Sequence, residues 1–169
     1  MKSFLIKFQI QFLAIVLASM VIVIDQVTEQ VVLSYIQDNS ESIRIAPFFN
    51  LVWVGNEGIS FGMLQGLPYG QYLISVFALM ITGFFFMWLL RSRSLWMGCA
   101  LGLIIGGAVG NTIERLMFGH VIDVLDFHVA GYHWPTFNLT DSAIFIGVVL
   151  IVFYELFRKP NKHAGQEGY

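Results

Sequence analysis

Tyr69–Leu90, YGQYLISVFALMITGFFFMWLL, holds no charged residue and closes on Arg91 and Arg93. An α-helix rises about 1.5 Å per residue, so roughly 20 apolar residues cross a hydrocarbon layer of about 30 Å. This stretch is therefore read as a membrane-spanning helix, and the rest of the chain is read against it. Composition agrees: of 169 residues, 57% are hydrophobic and 12% charged, where soluble domains are about one quarter charged. A net charge of −2 gives no electrostatic footprint for nucleic acid.

Three more spans follow from the same argument, at about 8–24, 95–115 and 138–157. Phe8–Ile24 is uncharged and preceded by Lys2 and Lys7. Its apolar run exceeds the usual core of a cleavable signal peptide, and no small-x-small site follows, so it is read as the first transmembrane helix. In 95–115, Gly102, Gly106 and Gly110 recur every four residues, a pattern that lets helix backbones approach closely. Cys99 lies in this apolar run with no charged neighbour to lower its pKa, and reads as a small buried hydrophobe.

Between the spans lie two loops, 25–68 and 116–137. Ile43–Val54, interrupted by Pro47, is rich in β-branched and aromatic residues and reads as short strands, followed by a glycine-punctuated turn. Lys2, Lys7, Arg91, Arg93, Arg158, Lys159 and Lys162 fall on one side of a four-span topology, against Arg44 and Arg115 on the other. The positive-inside rule then puts both termini in the cytoplasm and the acidic loops outside. The tail 160–169 reads as disordered.

The polar chemistry gathers in 119–144, which holds three aspartates, three histidines and Asn138 beside the fourth span. Carboxylates next to hydrocarbon are costly to ionise and are seldom retained for packing alone. Asp123 and Asp141 lie on either side of a loop containing Gly131 and Pro135, and two carboxyls that meet can hold opposite protonation states. Their separation is too long for one helix face, so contact requires the loop to fold back. Asn138 is a good N-cap, and Asp141 in the first turn complements the helix dipole, which favours its ionised form. Asp141 is accordingly expected to be the general base and Asp123 the protonated partner. Asp126, three positions after Asp123, reads as a solvated loop carboxylate.

Other polar residues give weaker signals. The spacings of His120, His128 and His133 match no zinc signature such as HExxH. The serines lack a GxSxG context. Tyr132 and Trp134 suit an interfacial aromatic belt. Asn111 either bonds across helices or faces the acidic pair, and Arg115 either snorkels, pairs with Glu114 or holds a neighbouring carboxylate ionised. Asn56 is either a turn residue or an amide that binds an extended peptide. A proton-coupled carrier would place ionisable groups through the membrane depth, whereas here they collect at one face. A purely structural subunit would leave the clustered motifs unexplained.

The motifs Asp25-Gln26-Val27-Thr28, Asn56-Glu57-Gly58-Ile59-Ser60-Phe61, Gly107-Ala108-Val109-Gly110-Asn111, Gly119-His120-Val121-Ile122-Asp123 and Phe137-Asn138-Leu139-Thr140-Asp141 resemble, in this order, those of the bacterial lipoprotein signal peptidases (signal peptidase II). The resemblance implies a mainly α membrane protein with four transmembrane helices and an outward-facing β-rich cradle at 43–61. It also implies a short surface helix at 126–134. Asp123 and Asp141 would be the catalytic dyad, with Asp25, Asn56, Gly107, Asn111, Arg115 and Asn138 lining or supporting the site and no metal or other cofactor. The implied enzyme is an aspartic endopeptidase of the bacterial inner membrane, a monomer among membrane lipids, with its active site near the periplasmic face. Its implied substrates are diacylglyceryl-modified prolipoproteins. Three positions depart from the family pattern: Glu29 stands where Lys is usual, Glu114 replaces Asp, and Thr140 replaces a common Ala.

Overall fold

The computed structural model describes residues 2–39, 42–58 and 69–158. In chain order its elements are α1 (Lys2–Asn39), β1 (Ser42–Ala46), β2 (Phe49–Asn56), α2 (Gly70–Arg91), α3 (Leu95–Phe118), β3 (Val121–Val129), β4 (Tyr132–His133) and α4 (Leu139–Phe157). All four helices are long and apolar enough to cross a membrane. The tail expected to be disordered, and the glycine-rich turn beyond Gly58, lie outside the described residues.

α3 is the axis of the bundle. Just over half of its apolar window, 56%, is buried, against 17–22% for the other three helices. The glycine period explains the approach of its neighbours. A Cβ on Gly102 would sit 2.7 Å from the Ala14 carbonyl oxygen, and one on Gly106 would sit 2.7 Å from Ala18 Cα, so α1 lies almost backbone to backbone with α3. At the end of the bundle away from the sheet, Ala14, Leu89, Met97 and Leu101 form an apolar cluster joining α1, α2 and α3. Large apolar side chains such as Phe77, Phe84 and Phe145 point outward, as a lipid solvent requires.

The first helix corrects the expected boundary. Instead of ending near Ile24 it runs 38 residues, about 57 Å at the α-helical rise, so that much of the expected loop is helix. Asp25 and Glu29 read as loop residues because they are charged, yet they are 2% and 1% exposed. They lie four apart on one helical face that continues through Val32 and Ile36. Toward the C-terminal end of α1 this face packs under the sheet, where Val32, Ile122 and Val124 form a second apolar cluster with Ile36 and Leu51.

The cradle is a four-stranded antiparallel sheet in the order β1-β2-β3-β4. The turn at Pro47 and Phe48 joins β1 to β2, as the interrupted β-branched run suggested. The region 116–137, expected as a loop, supplies half of the sheet. The surface helix implied for 126–134 is instead the end of β3, a turn and β4. A two-residue turn at Ala130 (φ 50°) and Gly131 (φ 85°) aligns Val129 with Tyr132, the left-handed pair that tight hairpins need. After the hairpin the chain doubles back: Leu125 N–H donates to Phe137 O at 2.8 Å, and Phe137 N–H returns a bond to Leu125 O at 3.2 Å. Phe49, Phe127 and Phe137 stack in sequence over this junction.

Candidate active site

That fold-back carries the chain from β3 straight into α4, and so brings Asp123 and Asp141 to one site. Asn56 faces Val121 across the β2–β3 ladder, which makes it the diagonal neighbour of Asp123 on the same face of the sheet. Its Nδ2 donates to Asp123 Oδ2 at 3.0 Å, while its Oδ1 accepts from Gly58 N–H at 3.0 Å. Asn56 thus fills the turn role the sequence offered, and its amide is also bonded to Asp123.

α4 is held at its first turn by its own cap residue and by two side chains from elsewhere in the chain. Asn138, fully buried, caps the helix by accepting from Asp141 N–H at 2.8 Å. Its Nδ2 lies 3.2 Å from both Asn111 Oδ1 and Ile122 O, tying the cap to α3 and β3. From α1, Asp25 Oδ1 accepts from Leu139 N–H at 3.0 Å and Thr140 N–H at 3.1 Å. These are two of the donors that a helix start leaves unpaired. Asn111 then donates to Asp141 Oδ1 at 2.7 Å. The hydroxyl of Thr140 lies 2.6 Å from the side-chain oxygens of Asn111 and Asn138. Gly107 permits all of this, because a Cβ there would strike the Thr140 carbonyl and the Ile144 side chain.

Arg115 is 8% exposed. Its Nη2 donates to Gly58 O at 3.1 Å, and its charge acts on both Asp123 and Asp141. Asp123 itself is 2% exposed, and its Oδ1 has no hydrogen-bond partner among the described residues. Burial raises its pKa most, and the negative charge of Asp141 raises it further. Hydrogen bonds from Asn56 and Thr136 and the charge of Arg115 pull it back, leaving it at about 7. One acid therefore feels the other, whatever roles they take.

Asp126 corrects a second expectation. It is 4% exposed rather than solvated, accepting from Asn50 at 2.9 Å and pairing with His133 Nδ1 at 2.7 Å. Burial alone would raise its pKa, but these bonds and the charges of His133 and His128 hold it below the usual carboxylate range. Three positions along a strand, it faces away from Asp123. Two of the three histidines meet, His128 stacking on His133, while His120 lies edge-on to Trp53.

Two further features escaped the sequence reading. Thr136 joins the hydrogen bonding of Asp123. Glu114 turns away from Arg115 to accept from Ile122 N–H at 3.1 Å and from Gln26, and it meets Asp25 and Glu29 in a buried group whose carboxylate oxygens lie within 4.8 Å of one another. The Asp25–Glu29 spacing of four was the available signal for that group.

The family model described as signal peptidase (SPase) II matches residues 17–157. The lipoprotein signal peptidase of Paraburkholderia phymatum is 46% identical over 143 residues, covering 83% of this chain and 86% of the relative. That of Thermodesulfovibrio yellowstonii is 40% identical over 137 residues, covering 81% and 90%. A bacterial membrane enzyme whose structure was obtained by the in meso method superposes with a TM-score of 0.75 at 29% identity, covering 92% of this chain and 94% of the other. Matched along nearly its whole membrane-spanning length in sequence and in fold, the chain belongs to the signal peptidase II family.

Proposed function

We propose that this protein is an aspartic endopeptidase that removes the signal peptide from diacylglyceryl-modified prolipoproteins, with Asp123 and Asp141 as the catalytic dyad. The observation that carries the reading is the pairing of two differently prepared acids. Asp123 is buried, lacks a partner for one oxygen and holds its proton to about 7. Asp141 sits at a helix N-terminus, its Oδ1 accepting from Asn111 Nδ2 while Asn138 Oδ1 caps the turn by accepting from Asp141 N–H. Relatives named lipoprotein signal peptidase supply the substrate class.

In this mechanism Asp141 takes a proton from a water molecule as its oxygen attacks the scissile carbonyl, while Asp123 donates its proton to the carbonyl oxygen. In the collapse of the tetrahedral intermediate, Asp141 gives its proton to the departing amine as the C–N bond breaks, while Asp123 takes a proton back from a hydroxyl as the carbonyl re-forms. Arg115 limits the charge that the two acids accumulate. Asn56 and Asn111 fix the orientation of each carboxyl, and Gly107, Asn138 and Asp25 set the position of the helix that carries Asp141. Both proton transfers run through carboxyl groups, so the reaction calls for no metal or organic cofactor. The enzyme acts as a monomer in the inner membrane, with cytoplasmic termini and the dyad near the periplasmic face. An apolar, lipid-anchored substrate reaches that site by diffusing within the bilayer.

Cleavage of a purified lipidated prolipoprotein tests the reading. Asp123→Asn and Asp141→Asn should each lower the rate by roughly a thousandfold or more, with the double variant little worse than either, since the two act as a unit. Cleavage by either single variant near the parent rate would refute the assignment.

A further inference from the structure

At the end of the bundle opposite the dyad, a cavity of about 400 Å³ opens between the C-terminal turns of α2 and α4 and the start of α3. Arg91, Arg93 and Arg158 all line it, with Trp88 and Tyr154 contributing apolar walls. The one carboxylate in its lining, Glu155, lies 4.0 Å from Arg158, and both side chains are more than half exposed. Three guanidinium groups thus share one concavity with a single, loosely held counter-charge. Among the described residues nothing else in the lining offsets them: Ser92 and Ser94 are neutral, and α3 begins there without an acidic residue in its first turn, so its positive end adds to the field.

Arg91 and Arg158 also complement the negative ends of α2 and α4, but that role leaves the guanidinium forks open. Arg93 lies in the link between helices, where it serves no helix end of its own. A planar fork of N–H donors matches phosphate oxygens better than any other common anion at a membrane surface. The surroundings select among phosphates. Leu90, Leu95, Trp96 and Phe153 are exposed on the helix faces running from this end of the bundle, apolar surface on which acyl chains can lie. A soluble phosphate would leave that surface unused.

We propose that this cavity binds the phosphate headgroup of an anionic membrane phospholipid, with Arg91, Arg93 and Arg158 as its ligands. The site is separate from the catalytic centre by the length of α3, 24 residues or about 36 Å. Basic pockets between helices at the cytoplasmic face are suited to such headgroups, each basic residue strengthening the attraction.

The test uses the full chain in mild detergent, with binding read by native mass spectrometry and by the shift of the unfolding temperature. Phosphatidylglycerol should be retained and raise that temperature, phosphatidylcholine should do neither, and millimolar inorganic phosphate should not reproduce the effect. The triple variant Arg91→Gln/Arg93→Gln/Arg158→Gln should bind phosphatidylglycerol on the order of tenfold to a hundredfold more weakly. Arg93→Gln alone, which touches no helix end, should show an intermediate loss, and Arg44→Gln at the other end of the molecule should show none. Equal binding by the triple variant, or equal retention of phosphatidylcholine, would overturn the proposal. Displacement of the lipid by inorganic phosphate would do so as well, by assigning the cavity to a free anion.

Discussion

The carboxylate of Asp25 accepts a hydrogen bond from the backbone N–H of Leu139 at 3.0 Å, across 114 positions of sequence. Together with the bond from Thr140 N–H, this makes a residue of α1 the outer cap of α4, one turn from Asp141. Removing it by Asp25→Ala would strip two buried donors and should cost about 1–3 kcal/mol of stability. It should also lower cleavage at least tenfold through misplacement of Asp141. Asp25→Asn keeps an acceptor oxygen and should retain more of both. Thermal unfolding and prolipoprotein cleavage measured side by side check this, and an Asp25→Ala enzyme of parent activity would contradict it.

The elevated pKa of Asp123 gives a pH signature. If its proton is required at rest, the rate should fall as pH rises through about 7. The Asn56 bond favours the charged carboxylate, so Asn56→Ala should move that basic limb upward, as seen in a pH–rate profile. Stability carries the opposite dependence to an ordinary ion-paired aspartate. The folded pKa lies above the ordinary aspartate value of 3.8, so the contribution of Asp123 is most favourable below about 4 and declines as pH climbs toward 7. Asp123→Asn should therefore be more stable than the parent at pH 8 and gain less at pH 5.

The parts of this site that could be read in the sequence are those that depend on local rules. Four spans, the strands around Pro47, Asn138 as a cap and the acidic character of 119–144 all follow from composition, turn chemistry and helix ends. What escaped depends on partners distant in the chain. Asp25 and Glu29 look like the end of a membrane helix until α3 and α4 are present to bury them. Asp126 looks solvated until Asn50 and His133 arrive from neighbouring strands. The 121–129 segment has the alternation of a strand only in part, because Val121 through Val124 are buried on both faces and their pattern is continuous rather than alternating.

Gly107 should tolerate no side chain. A Cβ there meets the Thr140 carbonyl and Ile144, both on fixed helical backbone or packed against it. Gly107→Ala should cost about 1–3 kcal/mol through overpacking. Because the displaced element carries Asp141, kcat should drop more than KM changes. Steady-state kinetics on the variant would show it, and an unchanged kcat would count against the placement of α4.

Glu29 is buried with two other carboxylates and meets no basic side chain in the described hydrogen bonds and ion pairs; one of its oxygens has no partner. A cation at this position would face the carboxyls of Asp25 and Glu114, so Glu29→Lys is expected to raise the unfolding temperature. A fall in the unfolding temperature would show that the group is already neutralised.

Asp126→Ala should behave differently from every dyad variant. It leaves the partly buried Asn50 without its partner and releases the half-exposed His133, and should cost about 1 kcal/mol, yet cleavage per folded molecule should stay near the parent level because the residue faces away from the site. Unfolding and activity, normalised to folded protein, separate the two effects.

The unbroken course of α1 has a mechanical consequence. Its inner half is clamped to α3 at Ala14 and Ala18, and its outer half underpins the strands through Val32. One acid rides on those strands and the other on the bundle, so a single stiff rod links the two carriers. Tilting the rod would change the spacing of the two acids, so a pull on the cradle would be felt at both carboxyls.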